Sequence, residues 1–216
     1  QEEALYKVLK ETIIASKDIR FEGDGYSEEW KQEAARRGLT NINHVPEAIM
    51  KFNSPQSKAV LLGEKIFNEN ELTCRVEVEL EKFTKKVQIE SRVLGDLAIN
   101  HIIPTAVIYQ NRLLENLRGL RETFSPEEYE ALGSDRRELV KDIQLRILEI
   151  KKLVRDMTEA RKVANHLPNE IEKAFSYADN VRPYLEAIRE HIDQMELEID
   201  DEIWPLPKYR ELLFTK

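Results

Sequence analysis

Apolar side chains recur through residues 68 to about 121 at Leu72, Val76, Leu80, Phe83, Val87, Leu94 and Leu97. Steps of three, four or seven place them on one stripe of an α-helix. Glu71, Glu77, Glu79, Lys82, Lys85 and Lys86 take most of the remaining surface, and Asn68 caps the start with Glu71 three residues on. The stretch contains no turn signal except Pro104. It therefore predicts one helix roughly 80 Å long, which the other elements must pack along or extend past. Pro104 lacks an N–H and presses on the carbonyl of Asn100, so a kink is predicted there. Glu90 and His101 fall at inward positions of the stripe. They lie about 16 Å apart along the helix, so each is expected to meet partners on neighbouring helices.

Shorter helices precede this element. Leu5, Val8, Leu9 and Ile13 share one face of a helix over about 3–17, with Glu2, Glu3 and Glu11 on the other. Such a stripe needs a surface to bury against. Together with a start at Gln1, it leads us to expect a piece of a longer chain. Phe21-Glu22-Gly23-Asp24-Gly25-Tyr26 reads as a tight turn pinned by its flanking aromatics, the glycines allowing positive φ or close backbone approach. Ser27 caps the next helix, Glu28 and Glu29 favour its first turn, Arg36 and Arg37 suit its last, and Gly38 closes it. After a linker over 41–45, Pro46 opens a short helix to Phe52, and Ser54-Pro55 opens another to Phe67.

Beyond the long helix, Phe124-Ser125-Pro126-Glu127-Glu128 reads as a loop followed by the start of a short helix expected to end at Gly133, and Ser134 is expected to cap a long one to about His166. Leu139, Ile143, Ile147, Ile150, Val154 and Met157 form its stripe, and Leu167-Pro168-Asn169 is a turn. In the last long helix Ile171, Ala178, Leu185, Ile192 and Ile199 are seven apart. So are Ala174, Val181, Ile188 and Met195, offset by three. This is an a/d seam, and it stays in frame across Pro183, which favours a kinked helix over two separate ones. Two long helices joined by three residues predict an antiparallel hairpin. The fold class expected is all-α: a long kinked central helix, shorter N-terminal helices and an antiparallel, coiled-coil-like helical hairpin.

Composition agrees with this picture. Of 216 residues, 41% are hydrophobic and 34% charged, with only seven glycines and eight prolines to punctuate them. A net charge of −8 argues against a nucleic-acid partner. No apolar run approaches the eighteen or so residues of a membrane span. The single cysteine, Cys74, permits no internal disulfide and suits a reducing, cytoplasmic compartment. His44, His101, His166 and His191 have no second histidine or cysteine at metal-ligand spacing. No phosphate-binding loop, dinucleotide fingerprint or nucleophile–histidine–acid arrangement is present. The residues therefore supply no catalytic, cofactor-binding or metal candidate.

Three stretches carry a resemblance. The first is Ile19-Arg20-Phe21-Glu22-Gly23-Asp24-Gly25-Tyr26-Ser27-Glu28-Glu29-Trp30, continuing through Glu33-Ala34-Ala35-Arg36-Arg37-Gly38-Leu39. The second is Val87-Gln88-Ile89-Glu90 with Ile103-Pro104-Thr105-Ala106. The third is Asp201-Glu202-Ile203-Trp204-Pro205-Leu206-Pro207-Lys208-Tyr209-Arg210-Glu211-Leu212-Leu213-Phe214. All three resemble the C-terminal part of type III glutamine synthetases, in order and over essentially the whole chain. The resemblance implies an ATP-dependent glutamate–ammonia ligase as full-length enzyme, working through a γ-glutamyl phosphate with Mg²⁺ or Mn²⁺. It implies an upstream catalytic domain as partner, and other subunits in hexameric rings stacked in pairs. Residues 1–53 then correspond to the end of the catalytic domain and 54–216 to a helical, assembly-supporting C-terminal domain with a docked tail. The family's metal, ATP and glutamate ligands belong to barrel strands that would precede Gln1, so this chain alone is expected to be inactive. The other reading the residues permit is a free-standing coiled-coil interaction module.

Overall fold

The computed structural model describes residues 2–213, apart from the side chains of Asp18, Tyr209 and Arg210. Every regular element among these residues is helical. The chain forms two compact units, Gln1–Asn43 and His44–Lys216.

The first unit contains α1 (Glu2–Ala15), a 3₁₀ turn (Lys17–Ile19) and α2 (Glu28–Arg36). None of α1's residues is buried, although Leu5, Val8, Leu9 and Ile13 line one face. The loop to α2 is organised by aspartate chemistry: Asp24 Oδ1 accepts from Tyr26 N at 2.9 Å, and Asp24 O accepts from Ser27 Oγ at 2.7 Å. The Phe21 ring stacks near Trp30, with centroids 4.9 Å apart, and lies over Gly23, where a Cβ would sit 2.6 Å from it. Of the two flanking aromatics only Phe21 pins the turn, since Tyr26 is almost fully exposed. Ser27 Oγ caps α2 by accepting from Trp30 N, and Gly38 follows at φ +69°, the left-handed conformation that suits a glycine after a helix end.

The second unit opens with α3 (Val45–Met50), a 3₁₀ turn (Lys51–Asn53) and α4 (Pro55–Gly63), capped by His44 and Ser54. The long element follows as α5 (Glu69–Leu97), a π-helical turn (Ala98–Ile102) and α6 (Ile103–Thr123). Asn68 and Glu71 form a complete capping box at its start. α7 (Pro126–Asn165) returns, and α8 (Glu170–Ser176), a second π turn (Tyr177–Val181) and α9 (Arg182–Glu198) run out again. The short α10 (Tyr209–Leu212) lies near the end.

Each π turn ends two residues before a proline, Pro104 or Pro183. Widening the helix by one residue relieves the clash of the proline ring with the preceding turn. The continuation is rotated by about 100°, one residue's worth of helix. The rotation explains one correction. His101 is exposed, not inward; the buried stripe passes from Val87 and Ser91 to Ala98, Ile102, Ile103 and Ala106. Glu90, on α5 before the turn, is exposed as well, because Val87 and Ser91 carry the buried stripe there. A second correction concerns Gly133 and Ser134. Neither ends nor starts a helix, because α7 is continuous from Pro126 to Asn165. Gly133 is a contact point: a Cβ there would lie 3.3 Å from both Leu117 and Tyr129. Ser134 Oγ turns back to the carbonyl of Ala131.

Four contacts fix the path of α7 along the long element. Leu117 meets Gly133, Gln110 Nε2 donates to Val140 O at 2.9 Å, Gly95 faces Val154 and Met157, and Gln88 Nε2 donates to Asn165 Oδ1 at 3.1 Å. All four keep one antiparallel register. α8 and α9 then lie parallel to α5 and α6, since Gln88 also donates to Tyr177 Oη at 3.2 Å and Arg112 pairs with Asp200 at 3.1 Å. The core of the three layers is Ile102, Ile143, Ile150, Met157, Tyr177, Ile188 and Met195, each 1% exposed or less. A smaller cluster of Val76, Leu80 and Ala174 takes Ile49 and Met50 of α3 against it. In the last helix the series Ala174, Val181, Ile188, Met195 is wholly buried.

After α9 the chain turns at Asp200, whose carboxylate accepts from Glu202 N at 3.0 Å and whose carbonyl accepts from Ile203 and Trp204. Trp204 is 8% exposed and joins the main core. Lys208 Nζ donates to the carbonyls of Glu196 and Ile199, placing a cation on the C-terminal end of α9. Leu212 and Leu213 are exposed, while Phe214 and the side chain of Tyr209 lie outside the described residues.

Two outcomes are expected. The indole N–H of Trp204 has no acceptor among the described residues, so apolar burial holds this side chain. Trp204→Ala should cost about 3–5 kcal/mol in denaturant unfolding of the chain, and Trp204→Phe much less; equal, small losses would show that the tail is not packed in solution. Spin labels at Lys152 and Glu186 should lie within about 30 Å of each other, the scale of two packed helices read near one level. Separations of about 40 Å or more would exclude the antiparallel pairing of α7 with α9.

Candidate functional site

The polar side chains that the fold brings together form three clusters. In the first unit, Glu33 on α2 lies between Arg36 and Arg37, one turn further on. Arg36 Nε donates to Glu33 Oε2 at 2.7 Å, and Arg37 Nε donates to Glu33 Oε1 at 2.6 Å. Arg37 Nη1 also reaches the carbonyl of Arg20 at 2.9 Å, and Arg20 Nη2 the carbonyl of Ile13 at 2.8 Å. Lys17, Arg20, Glu22, Arg36 and Arg37 line a hollow of about 420 Å³ over this cluster. The hydrogen bonds from Arg36 and then Arg37 hold the Glu33 carboxyl at about 2, against an ordinary value near 4.5. The two arginines thus bind a carboxylate of their own helix and tie α2 to the turn after α1, a tertiary job beyond the favourable end-of-helix placement that sequence suggests.

At the head of the second unit, His44 is the cap of α3. Its Nδ1 accepts from Glu47 N at 3.3 Å, and its Nε2 lies 3.0 Å from Asp179 Oδ1 in the second π turn. The ring packs near Phe175, with centroids 5.0 Å apart. The acceptor role of Nδ1 places the proton of a neutral ring on Nε2, where it is donated to Asp179. His44 is only one of four histidines in the sequence, where 41–45 reads as a linker; neither its cap on α3 nor Asp179, 135 positions away, is read there.

The third cluster ties the helical layers. Tyr177 Oη, on a fully buried ring, donates to Asn165 Oδ1 at 2.7 Å, and Gln88 Nε2 donates to both. Elsewhere, Cys74 is exposed in a groove of about 730 Å³ with Ile66, Phe67 and Val78, beside Arg75, whose guanidinium sits 5.1 Å above the Phe67 ring. His166 Nδ1 lies 2.6 Å from the carbonyl of Lys162, and His191 Nδ1 is buried without a partner among the described residues. These two histidines, like His44 and His101, do not converge. No group of three or more His, Cys, Asp or Glu among the described residues could hold a metal ion. The three clusters pin, cap and tie helices; none sets a nucleophile against a base.

The family described as the glutamine synthetase C-terminal domain matches residues 4–121, which span both units. The chain belongs to this family. A glutamine synthetase of Bacteroides fragilis (strain YCH46) is 73% identical over 216 residues, all of this chain and 30% of that protein. A type-3 glutamine synthetase of Dictyostelium discoideum is 28% identical over 225 residues, 99% of this chain and 29% of that protein. A glutamine synthetase of Butyrivibrio fibrisolvens is 28% identical over 214 residues, 99% of this chain and 30% of that protein. The chain thus spans about 30% of the length of the curated relatives it matches. The family match contains the Glu33–Arg36–Arg37 cluster, His44, and the whole of α5 and most of α6. No helix among the described residues is long and apolar enough to cross a membrane.

Glu33 generates a pH prediction. Its carboxyl titrates lower in the folded chain than in the unfolded one, so its contribution to stability is complete above pH 4.5 and is lost as pH falls through about 2. Acid unfolding of the first unit, followed by Trp30 fluorescence in a Trp204→Phe background, should steepen in that window. Glu33→Gln should flatten it; an unchanged slope would mean that the arginines do not hold the carboxylate in solution.

Proposed function

We propose that this chain is the C-terminal helical part of a glutamine synthetase, and that the full-length protein joins ammonia to glutamate with ATP through a γ-glutamyl phosphate. The observation that carries the reading is the 73% identity to a glutamine synthetase along all 216 residues of this chain. In this reading residues 1–53 end the catalytic domain, and 54–216 form a helical domain that stiffens the subunit and supports a homo-oligomer of hexameric rings stacked in pairs. The enzyme works in the cytoplasm.

ATP and Mg²⁺ or Mn²⁺ belong to the full-length enzyme. The residues here do not fit either: no three metal-ligating side chains converge among those described. The glycine turn at Gly23 is filled by the Phe21 ring, where a phosphate cradle would need open backbone. In this reading the site belongs to the part of the protein that this chain does not include. What this chain contributes is rigidity. Its three helical layers share one core, and partly buried hydrogen bonds at Gln88, Gln110 and Tyr177 fix their register.

The exposed stripe of α1 fits this role, because a catalytic domain in the same polypeptide would cover it. The test compares the purified chain with the same chain joined to its upstream coding region. The chain alone should release no phosphate from ATP and form no glutamine from glutamate and ammonia, and the joined protein should do both. Turnover by the chain alone, or an unrelated domain upstream, would overturn the assignment.

A further inference from the structure

Arg92, exposed on α5, and Arg161, half-buried on α7, stand at matching levels of the seam between these helices. Their juxtaposition follows from the register. One turn to one side, Gln88 bonds to Asn165 at 3.1 Å; to the other, Gly95 lies against Val154 and Met157, within 3.6 Å of a would-be Cβ. Arg92 is set between Gln88 and Gly95, and Arg161 between Met157 and Asn165. Neither guanidinium has a hydrogen bond or ion pair among the described residues.

The acids nearby make their contacts with other groups, none with either guanidinium. Asp96 accepts from Asn100 at 2.6 Å, Asp156 pairs with Arg155 at 3.5 Å, and Glu159 pairs with Lys162 at 2.8 Å. The neighbouring amide adds donors. Asn165 Oδ1 already accepts from Gln88 and Tyr177, which leaves its Nδ2 amide hydrogens available. Arg161 is half-buried, and its burial and then the charge of Arg92 push its pKa down, against an opposing pull from Tyr177. Two like charges held in register across a rigid seam, in a chain of net charge −8, are a cost that an anion would remove.

We infer that the Arg92–Arg161 rung is an oxyanion site, taking a phosphate dianion, free or as the phosphoryl group of a small monoester. Two guanidinium forks from opposite helices bracket a tetrahedral anion, and Asn165 Nδ2 supplies a further donor. An anion so placed would bridge α5 to α7 and stiffen the bundle at the level of the buried Tyr177 network.

Calorimetric titration of the intact chain at constant ionic strength tests the site, with inorganic phosphate in one arm and glycerol phosphate in the other. Saturable binding at one site is expected in at least one arm, and the tighter arm identifies the source. Arg161→Met and Arg92→Met should each weaken it by about tenfold or more, as loss of charge-assisted hydrogen bonds requires. Arg155→Met, which removes an exposed arginine with its own partner, should bind like the unaltered chain. Without phosphate, Arg161→Met should melt no lower than the unaltered chain, because the like-charge repulsion is relieved. Should that variant fail to fold, Arg161→Lys keeps the charge and removes the fork, and should still weaken binding. Absence of saturable binding in both arms, or equal affinity in Arg92→Met, Arg161→Met and Arg155→Met, would overturn the proposal.

Discussion

The second unit depends on a single antiparallel register between α7 and the α5–α6 element. Interlocking apolar side chains set the depth of this packing, and a few buried polar atoms set its phase. A one-turn slip would move each partner by about 5.4 Å. It would separate Gln110 from the carbonyl of Val140 and Gln88 from Asn165, and drive Leu117 off the only residue in its path without a Cβ, Gly133. Unpaired buried amides cost more than the bonds themselves contribute, so the polar contacts discriminate against wrong registers more than they add stability.

The two π turns belong to the same constraint. Pro104 and Pro183 would each break an ordinary helix, yet the layers continue past both. One inserted residue accommodates each ring and rotates the downstream helix. Ile102, Ile103 and Ala106 thereby meet the core beyond the first turn, while Ala174, Val181, Ile188 and Met195 keep their seven-residue spacing across the second. The second π turn also presents Asp179 to His44, which ties the cap of α3 to the bundle. An interruption in the helical ladder is here used as an attachment point.

The chemistry of the first unit is of another kind. Glu33 takes hydrogen bonds from Arg36 and Arg37, Arg37 and Arg20 reach backbone carbonyls and close a loop, and none of the residues of the amphipathic helix α1 is buried. The family match runs without a break from this unit into the bundle, so the two are inherited together.

Local chemistry was legible along the chain. The caps at Ser27, Ser54 and Asn68, the heptad series ending at Met195, and the all-α class follow from side-chain period and from donors within four residues of their acceptors. The family, too, could be read from three contiguous stretches of residues. What the sequence misread were positions whose meaning is set by a distant partner. Gly133 looked like a stop because glycine usually ends helices, but Leu117 needed the space. His101 looked inward because a 3.6-residue period was carried across a turn that inserts a residue. The bonds of Gln88 to Asn165 and Tyr177, the His44–Asp179 pair and the matching levels of Arg92 and Arg161 join residues 69 to 135 positions apart. Periodicity specifies which face of a helix is buried, but it carries no information about the level at which two helices meet. Only the packed structure fixes that level.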